Sequence, residues 1–155
     1  MRSHDLLLLP SLARHADLAL LLMRLLVGSF LIWGVVDNIL DAQDMLRFEQ
    51  FLHKFGFPLP ALMARVSVWA QFAVGVAFVL GWGTRWAGLV CAFNFIVALV
   101  MVDRHGGIRQ MFPAAMLVAF GLYVACRGAG RYALEHRGRL SGPAEPAPAR
   151  GSERP

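Results

Sequence analysis

Seven side chains stand out from a largely apolar chain because their types and placement could do chemistry: Asp37, Asn38, Arg65, Gln71, Asn94, Asp103 and His105. Each lies within or at the edge of a long apolar stretch, where a polar group is costly unless it faces protein or water. Gln71 and Asn94 fall near the middle of two successive stretches, and an amide both donates and accepts. The spacing predicts a hydrogen bond between them. It serves as interhelical adhesive in one reading and as the edge of a ligand site in the other. Asp37 and Arg65 have similar predicted depth and opposite charge. An ion pair joining the first and second stretches therefore stands beside the alternative that both side chains reach out to the interface. With Asn38, Asp103 and His105 they form a polar cluster toward one membrane face. Arg24, near the other face, is expected to extend to the headgroups.

What is missing narrows the chemistry. Haem would need axial ligands within the stretches, and none of His4, His15, His53, His105 and His136 lies at mid-depth. No metal site is evident. Cys91 and Cys126 are far apart and form no C-x-x-C, so both read as small packing residues. There is no glycine-rich phosphate loop, no H-E-x-x-H and no G-x-S-x-G, which removes the commonest local catalytic signatures. No carboxylate sits at mid-depth to drive a proton-coupled transport cycle.

The elements that must position these groups are transmembrane helices. Hydrophobic residues make up 57 % of the 155 and charged residues 16 %. The apolar excess is concentrated in four stretches, Leu18–Val36, Val66–Gly83, Trp86–Val102 and Gln110–Cys126, each long enough to cross the hydrocarbon core. The predicted fold is all-α: a four-helix transmembrane bundle with spans at about 18–40, 61–82, 85–103 and 109–127. Within Asp41–Pro60, apolar Met45, Phe48, Phe51, Leu52 and Phe55 recur at helical spacing, predicting a short amphipathic interfacial helix between spans one and two. Gly56, Pro58 and Pro60 end it. Residues 1–17 read as an interfacial lead-in, 18–134 as the bundle and 135–155 as a basic, Pro/Ala-rich disordered tail. Beyond the general hairpin pattern no internal repeat is visible.

Two faces are predicted to meet: Ser67, Gln71, Gly75 and Phe78 on span two, and Cys91, Asn94, Ala98, Met101 and His105 on span three. Tyr123, in line with Met116 and Ala119 on span four, joins them from the inner side. The net charge of +5 fits lipid headgroups as the partner rather than nucleic acid, because the basic residues flank the spans. Nine arginines (Arg2, Arg14, Arg85, Arg127, Arg131, Arg137, Arg139, Arg150 and Arg154) gather on the side of the termini, against Arg47, Lys54, Arg65, Arg104 and Arg109 on the other. That bias predicts cytoplasmic termini in a cell (inner or plasma) membrane.

Several short segments, taken in order, resemble the DoxX family of small four-helix membrane proteins. Span one has Arg24-Leu25-Leu26-Val27-Gly28 and then Phe30-Leu31-Ile32-Trp33-Gly34; the first loop has Gly56-Phe57-Pro58. Gln71-Phe72-Ala73-Val74-Gly75 and Leu80-Gly81-Trp82-Gly83-Thr84-Arg85-Trp86-Ala87-Gly88 follow, the latter like the family's L-G-x-x-T-R-x-A core. Asn94-Phe95-Ile96-Val97-Ala98 and Gly128-Ala129-Gly130-Arg131-Tyr132 complete the order. Gln71 stands where many members have Glu, and Asp37 where many have Lys, so no acid–base role carries over to Gln71. The resemblance implies an accessory subunit of a quinone-linked or oxidative-stress oxidoreductase complex, with quinone as the implied cofactor and a redox enzyme or a second copy as the implied partner. It implies a non-catalytic subunit rather than a self-contained enzyme. The alternatives are a small oligomeric transporter or channel along Gln71 and Asn94, and a scaffold docking a soluble partner on Arg127–Arg139.

Overall fold

In hydrocarbon a backbone must satisfy its own polar groups, and this chain does so with helices. A computed structural model describes residues 15–102 and 106–135. Among these residues lie five α-helices: α1 Ala16–Leu40, α2 Ala42–Lys54, α3 Pro60–Leu80, α4 Thr84–Met101 and α5 Ile108–Arg127. All but α2 are long and apolar enough to cross a membrane. Their bounds match the predicted spans to within two residues at every end. The shortest, α4, has 18 residues; at about 1.5 Å per residue it runs roughly 27 Å, near the ~30 Å of a hydrocarbon core. The protein is a multi-pass membrane protein. The predicted tail, apart from Glu135, and the first 14 residues of the lead-in lie outside the described residues.

Local chemistry sets the helix ends. Asp41 turns the chain between α1 and α2, and its side chain accepts from the Gln43 N–H at 2.8 Å, a capping bond that satisfies one free donor of the new helix. At the far end of α2, Phe57 N–H donates to Leu52 C=O at 3.2 Å and Gly56 N–H to His53 C=O at 3.1 Å, with Gly56 at φ +74°. This is a glycine-terminated helix stop. Leu59, left-handed at φ +50°, leads into Pro60, the first residue of α3. The amphipathic helix therefore forms where expected. Its Leu52 is buried, and the helix packs against α1 and α3.

The four spans pack as two hairpins, α1 with α3 and α4 with α5. Each is closed by a glycine-on-glycine crossing. A Cβ on Gly28 would lie 2.7 Å from Gly75 O, and one on Gly75 would lie 2.8 Å from Gly28 O. A Cβ on Gly121 would lie 2.7 Å from Gly88 O. Without side chains the backbones approach closely, the packing that small residues permit in membranes. The two crossings share one register. Four residues beyond each glycine its partner meets Val79 and Ile32 in the first hairpin, and Ala125 and Ala92 in the second. Three residues beyond, Leu31, Phe78, Cys91 and Val124 are all at most 2 % exposed. The sequence shows no such repeat, because the equivalent side chains differ in type. Phe78 and Phe120 join the hairpins edge to face, with centroids 5.4 Å apart.

The predicted meeting of faces is corrected in part. Gly75 faces α1, not α4, because a glycine on a helix surface is filled best by another backbone. Cys91 points its thiol at Leu117 O of α5, 3.8 Å away. Tyr123 and Met116 are about half exposed and face outward rather than joining the interior. Cys126 is exposed rather than packed.

Gly75→Leu should therefore drive a side chain into the Gly28 carbonyl and destabilise the bundle by at least about 1–3 kcal/mol. Gly34→Ala, whose Cβ would meet nothing within 4 Å, should be neutral or gain up to about 1 kcal/mol from helix propensity. Thermal unfolding of both variants in detergent checks this ordering.

Candidate functional site

The first half of α3 and the middle of α4 face each other beneath α2, and there the bundle carries its polar interior. Gln71 Nε2 donates to Ser67 Oγ at 3.1 Å, and Ser67 Oγ donates to Asn94 Oδ1 at 3.0 Å. The predicted direct bond between Gln71 and Asn94 is thus a relay through Ser67, one helical turn before Gln71. Ser67 lies nearer Asn94 because its short side chain leaves room for the asparagine. All three residues are half-buried. The relay leaves Asn94 Nδ2 with two free donors and Gln71 with its carbonyl oxygen and one N–H.

This relay borders a cavity of about 390 Å³ between α2, α3 and α4. Its walls are apolar and aromatic, with Phe48 and Phe51 from α2, Phe57 from the connection, Met63 and Val66 from α3, and Phe93 from α4. Ser67, Gln71 and Asn94 are the polar members of the lining, and no lining residue titrates. The α2 rings form a row along the helix, with Phe48–Phe51 and Phe51–Phe55 centroids 6.3 and 4.8 Å apart, and Phe48 and Phe51 of this row face the cavity. An apolar chamber with a few convergent polar groups is the usual form of a small-molecule site. This one can orient a carbonyl- or hydroxyl-bearing apolar molecule but has no group to exchange a proton with it.

The outer cluster is arranged differently from the prediction. Arg65 pairs with Glu49 of α2, Nη2 to Oε1 at 3.1 Å, not with Asp37. The amphipathic helix lies between spans one and two and brings Glu49 to Arg65 first. Asp37 is exposed and, among the described residues, has no ion pair. Asn38 Nδ2 donates to Asp44 O at 3.1 Å, fixing the α1–α2 corner, while Arg47 pairs with Asp44 within α2. Asp103 and His105 lie outside the described residues. Asn38 and Arg65 therefore hold α2 in place, and neither they nor Asp37 forms one site with Gln71 and Asn94.

Arg24 is the residue that sequence reasoning placed wrongly. It is 1 % exposed and does not reach the headgroups. Its Nε donates to Phe78 O at 3.0 Å, and its Nη1 donates to Ala129 O. Phe78 is in the last turn of α3, where carbonyls lack helical partners, and Ala129 follows α5. One guanidinium thus ties three segments. The signal was present: Leu20, Arg24, Gly28, Leu31 and Val35 form one buried stripe on α1, so Arg24 shares the face of the glycine crossing. Among the described residues there is no metal-capable cluster of His, Cys, Asp and Glu.

With this geometry in place, comparison with known proteins gives one match: the family model for DoxX covers residues 19–104. The chain belongs to the DoxX family. No curated protein and no solved structure matches it. The matched segment holds Arg24, both glycines of the first hairpin and the whole Ser67–Gln71–Asn94 relay; α5 follows it.

Two outcomes follow for this DoxX protein. Arg24→Met keeps the bulk but leaves two carbonyls without their donor, a loss of about 1.5–3 kcal/mol for each bond to a charged group. The exit after α5 should then detach, and trypsin should cleave at Arg131 faster than in the wild type, as limited proteolysis would record.

Proposed function

We propose that this DoxX protein is a non-catalytic membrane subunit of a quinone-linked or oxidative-stress oxidoreductase system, and that the α2–α3–α4 cavity receives the quinone. The observation that carries this reading is the cavity itself: aromatic walls, a lining without charge, and an amide relay at one edge. A quinone has an apolar body and carbonyl oxygens that accept hydrogen bonds. The free donors of Asn94 and Gln71 suit those carbonyls, and the phenyl rings of α2 suit the ring and tail. When bound, a quinone supplies two-electron redox chemistry. The chain's own residues supply orientation and exclusion of water. Because no lining residue titrates, the protons and electrons of turnover belong to a partner enzyme, which favours a subunit over an enzyme complete in itself.

The same reading places the protein in a cell membrane with both termini cytoplasmic. The end of the bundle that carries the described termini presents Arg85, Arg127 and Arg131, and cytoplasmic flanks are enriched in such cations.

The test is binding of a short-chain quinone to the purified full chain, read by tryptophan fluorescence. Asn94→Leu and Gln71→Leu should each weaken it about five- to tenfold, the worth of roughly one hydrogen bond. Wild-type affinity in both variants would overturn the cavity assignment. Purification from native membranes in mild detergent, with the co-purifying proteins identified by mass spectrometry, addresses the subunit role. A stoichiometric oxidoreductase supports it, and recovery of the DoxX chain alone counts against it.

A further inference from the structure

The opposite end of the bundle holds a second cavity, of about 410 Å³, with a different chemistry. Arg85 at the start of α4, Arg127 at the end of α5 and Arg131 in the exit bring three guanidinium groups to one place, and Asp17 and Glu135 line it too. Asp17 is taken up by Arg127, Oδ1 to Nη2 at 3.4 Å. Among the described residues, Arg85, Arg131 and Glu135 have no ion pair. The cavity thus offers two uncommitted cations and one uncommitted carboxylate. Its floor is backbone held in place: Gly128 and Gly130 are left-handed, at φ +81° and +74°. A Cβ on Gly128 would lie 3.3 Å from Arg85 Nε, so the guanidinium stacks on bare backbone. Ala129, between the two glycines, is fixed by Arg24, and Glu135 N–H is tied to Gly81 O at 3.3 Å.

Depth identifies the source of the ligand. The cavity sits where three transmembrane helices end or begin. Trp82 in the α3–α4 connection and Trp86, the residue after Arg85, are 70 % and 76 % exposed, as expected of side chains at headgroup level. The group met there in a bilayer is a phosphodiester, which planar guanidiniums bind through paired N–H donors. We propose that this cavity holds the headgroup of a membrane phospholipid, with its phosphate on Arg85 and Arg131 and its hydrogen-bond donors on Glu135. Ethanolamine and glycerol headgroups carry such donors. Choline has the same phosphate and no N–H or O–H to give.

Native mass spectrometry of the detergent-purified full chain tests this with phosphatidylethanolamine, phosphatidylglycerol and phosphatidylcholine at equal concentration. The wild type should retain one of the first two lipids at least about tenfold better than phosphatidylcholine. The double variant Arg85→Gln, Arg131→Gln should lose that retention by about tenfold or more, as expected from two interfacial cations. Arg109→Gln, at the other end of α5, should keep it, and Glu135→Leu should erase the preference over phosphatidylcholine. Equal retention of all three lipids by the wild type overturns the proposal without relying on any variant. So does unchanged retention in the double variant. Displacement of lipid by millimolar inorganic phosphate would assign the arginines to a soluble phosphate and likewise overturn it.

Discussion

The hydrogen bonds from Arg24 to Phe78 O and Ala129 O are the constraint on which this end of the molecule depends. A helix that ends near the membrane leaves carbonyls without partners, and in a low-dielectric setting each needs a donor. Glycine-terminated turns meet part of that need: Gly81 and Trp82 both donate to Ala77 O. The next carbonyl, Phe78 O, takes Arg24. A guanidinium suits the task because it carries several donors on one rigid plane, so the same side chain reaches the exit of α5. The exit then folds back over the end of α3, where Ala133 is 3 % exposed, and the arginine-lined cavity is formed by that return.

The two hairpins share a glycine register but not a chemistry, and the differences are where the polar groups sit. Four residues before the crossing glycine, the first helix of each hairpin has a fully buried polar residue: Arg24 in one, Thr84 in the other. Four residues before the second crossing glycine, α3 has Gln71 and α5 has Leu117. Leu117 is buried in the common core, whereas Gln71 borders the cavity. The first hairpin also carries α2 between its helices, while six residues, 102–107, separate those of the second. The chamber lies beside the substituted position and under the inserted helix. A shared packing frame thus leaves one site free to depart from apolar packing, at the position where an extra helix can cover it.

Much of this was legible because the bilayer imposes simple rules. Span lengths, the amphipathic α2 with its Gly56 stop, and the association of Gln71 with Asn94 follow from hydropathy, helical period and the cost of intramembrane amides. What escaped was partner choice among residues of similar depth. Asp37 and Glu49 both carry charge that Arg65 could meet, and only the position of α2 decides for Glu49. Ser67 is too small and common to signal a role, yet it completes the relay. Arg24 was misplaced because depth was read without face: an arginine near a span end usually reaches for headgroups, but this one shares its stripe with Gly28. Tyr123 failed for the converse reason. Its stripe with Met116 reads as interior by residue type, while the denser stripe of Ala114, Leu117, Gly121 and Val124 claims the core.

The two cavities have opposite chemistries at opposite ends of the bundle. Burying a charge in an apolar chamber costs far more than burying an amide, and the chamber under α2 has Ser67, Gln71 and Asn94 as its polar lining. The charges are held where water and headgroups can solvate them, at Arg85, Arg127 and Arg131. Between these ends runs α3, which contributes Ser67 and Gln71 to one cavity and its capped terminus to the scaffold of the other. Its position is set twice, by the Gly28–Gly75 crossing and by the Arg24 bond to Phe78 O, contacts four residues apart on α1 and three apart on α3. A shift of α3 along α1 would break both contacts together. The Ser67 and Gln71 edge of the chamber, carried on α3, is therefore fixed in register with α1.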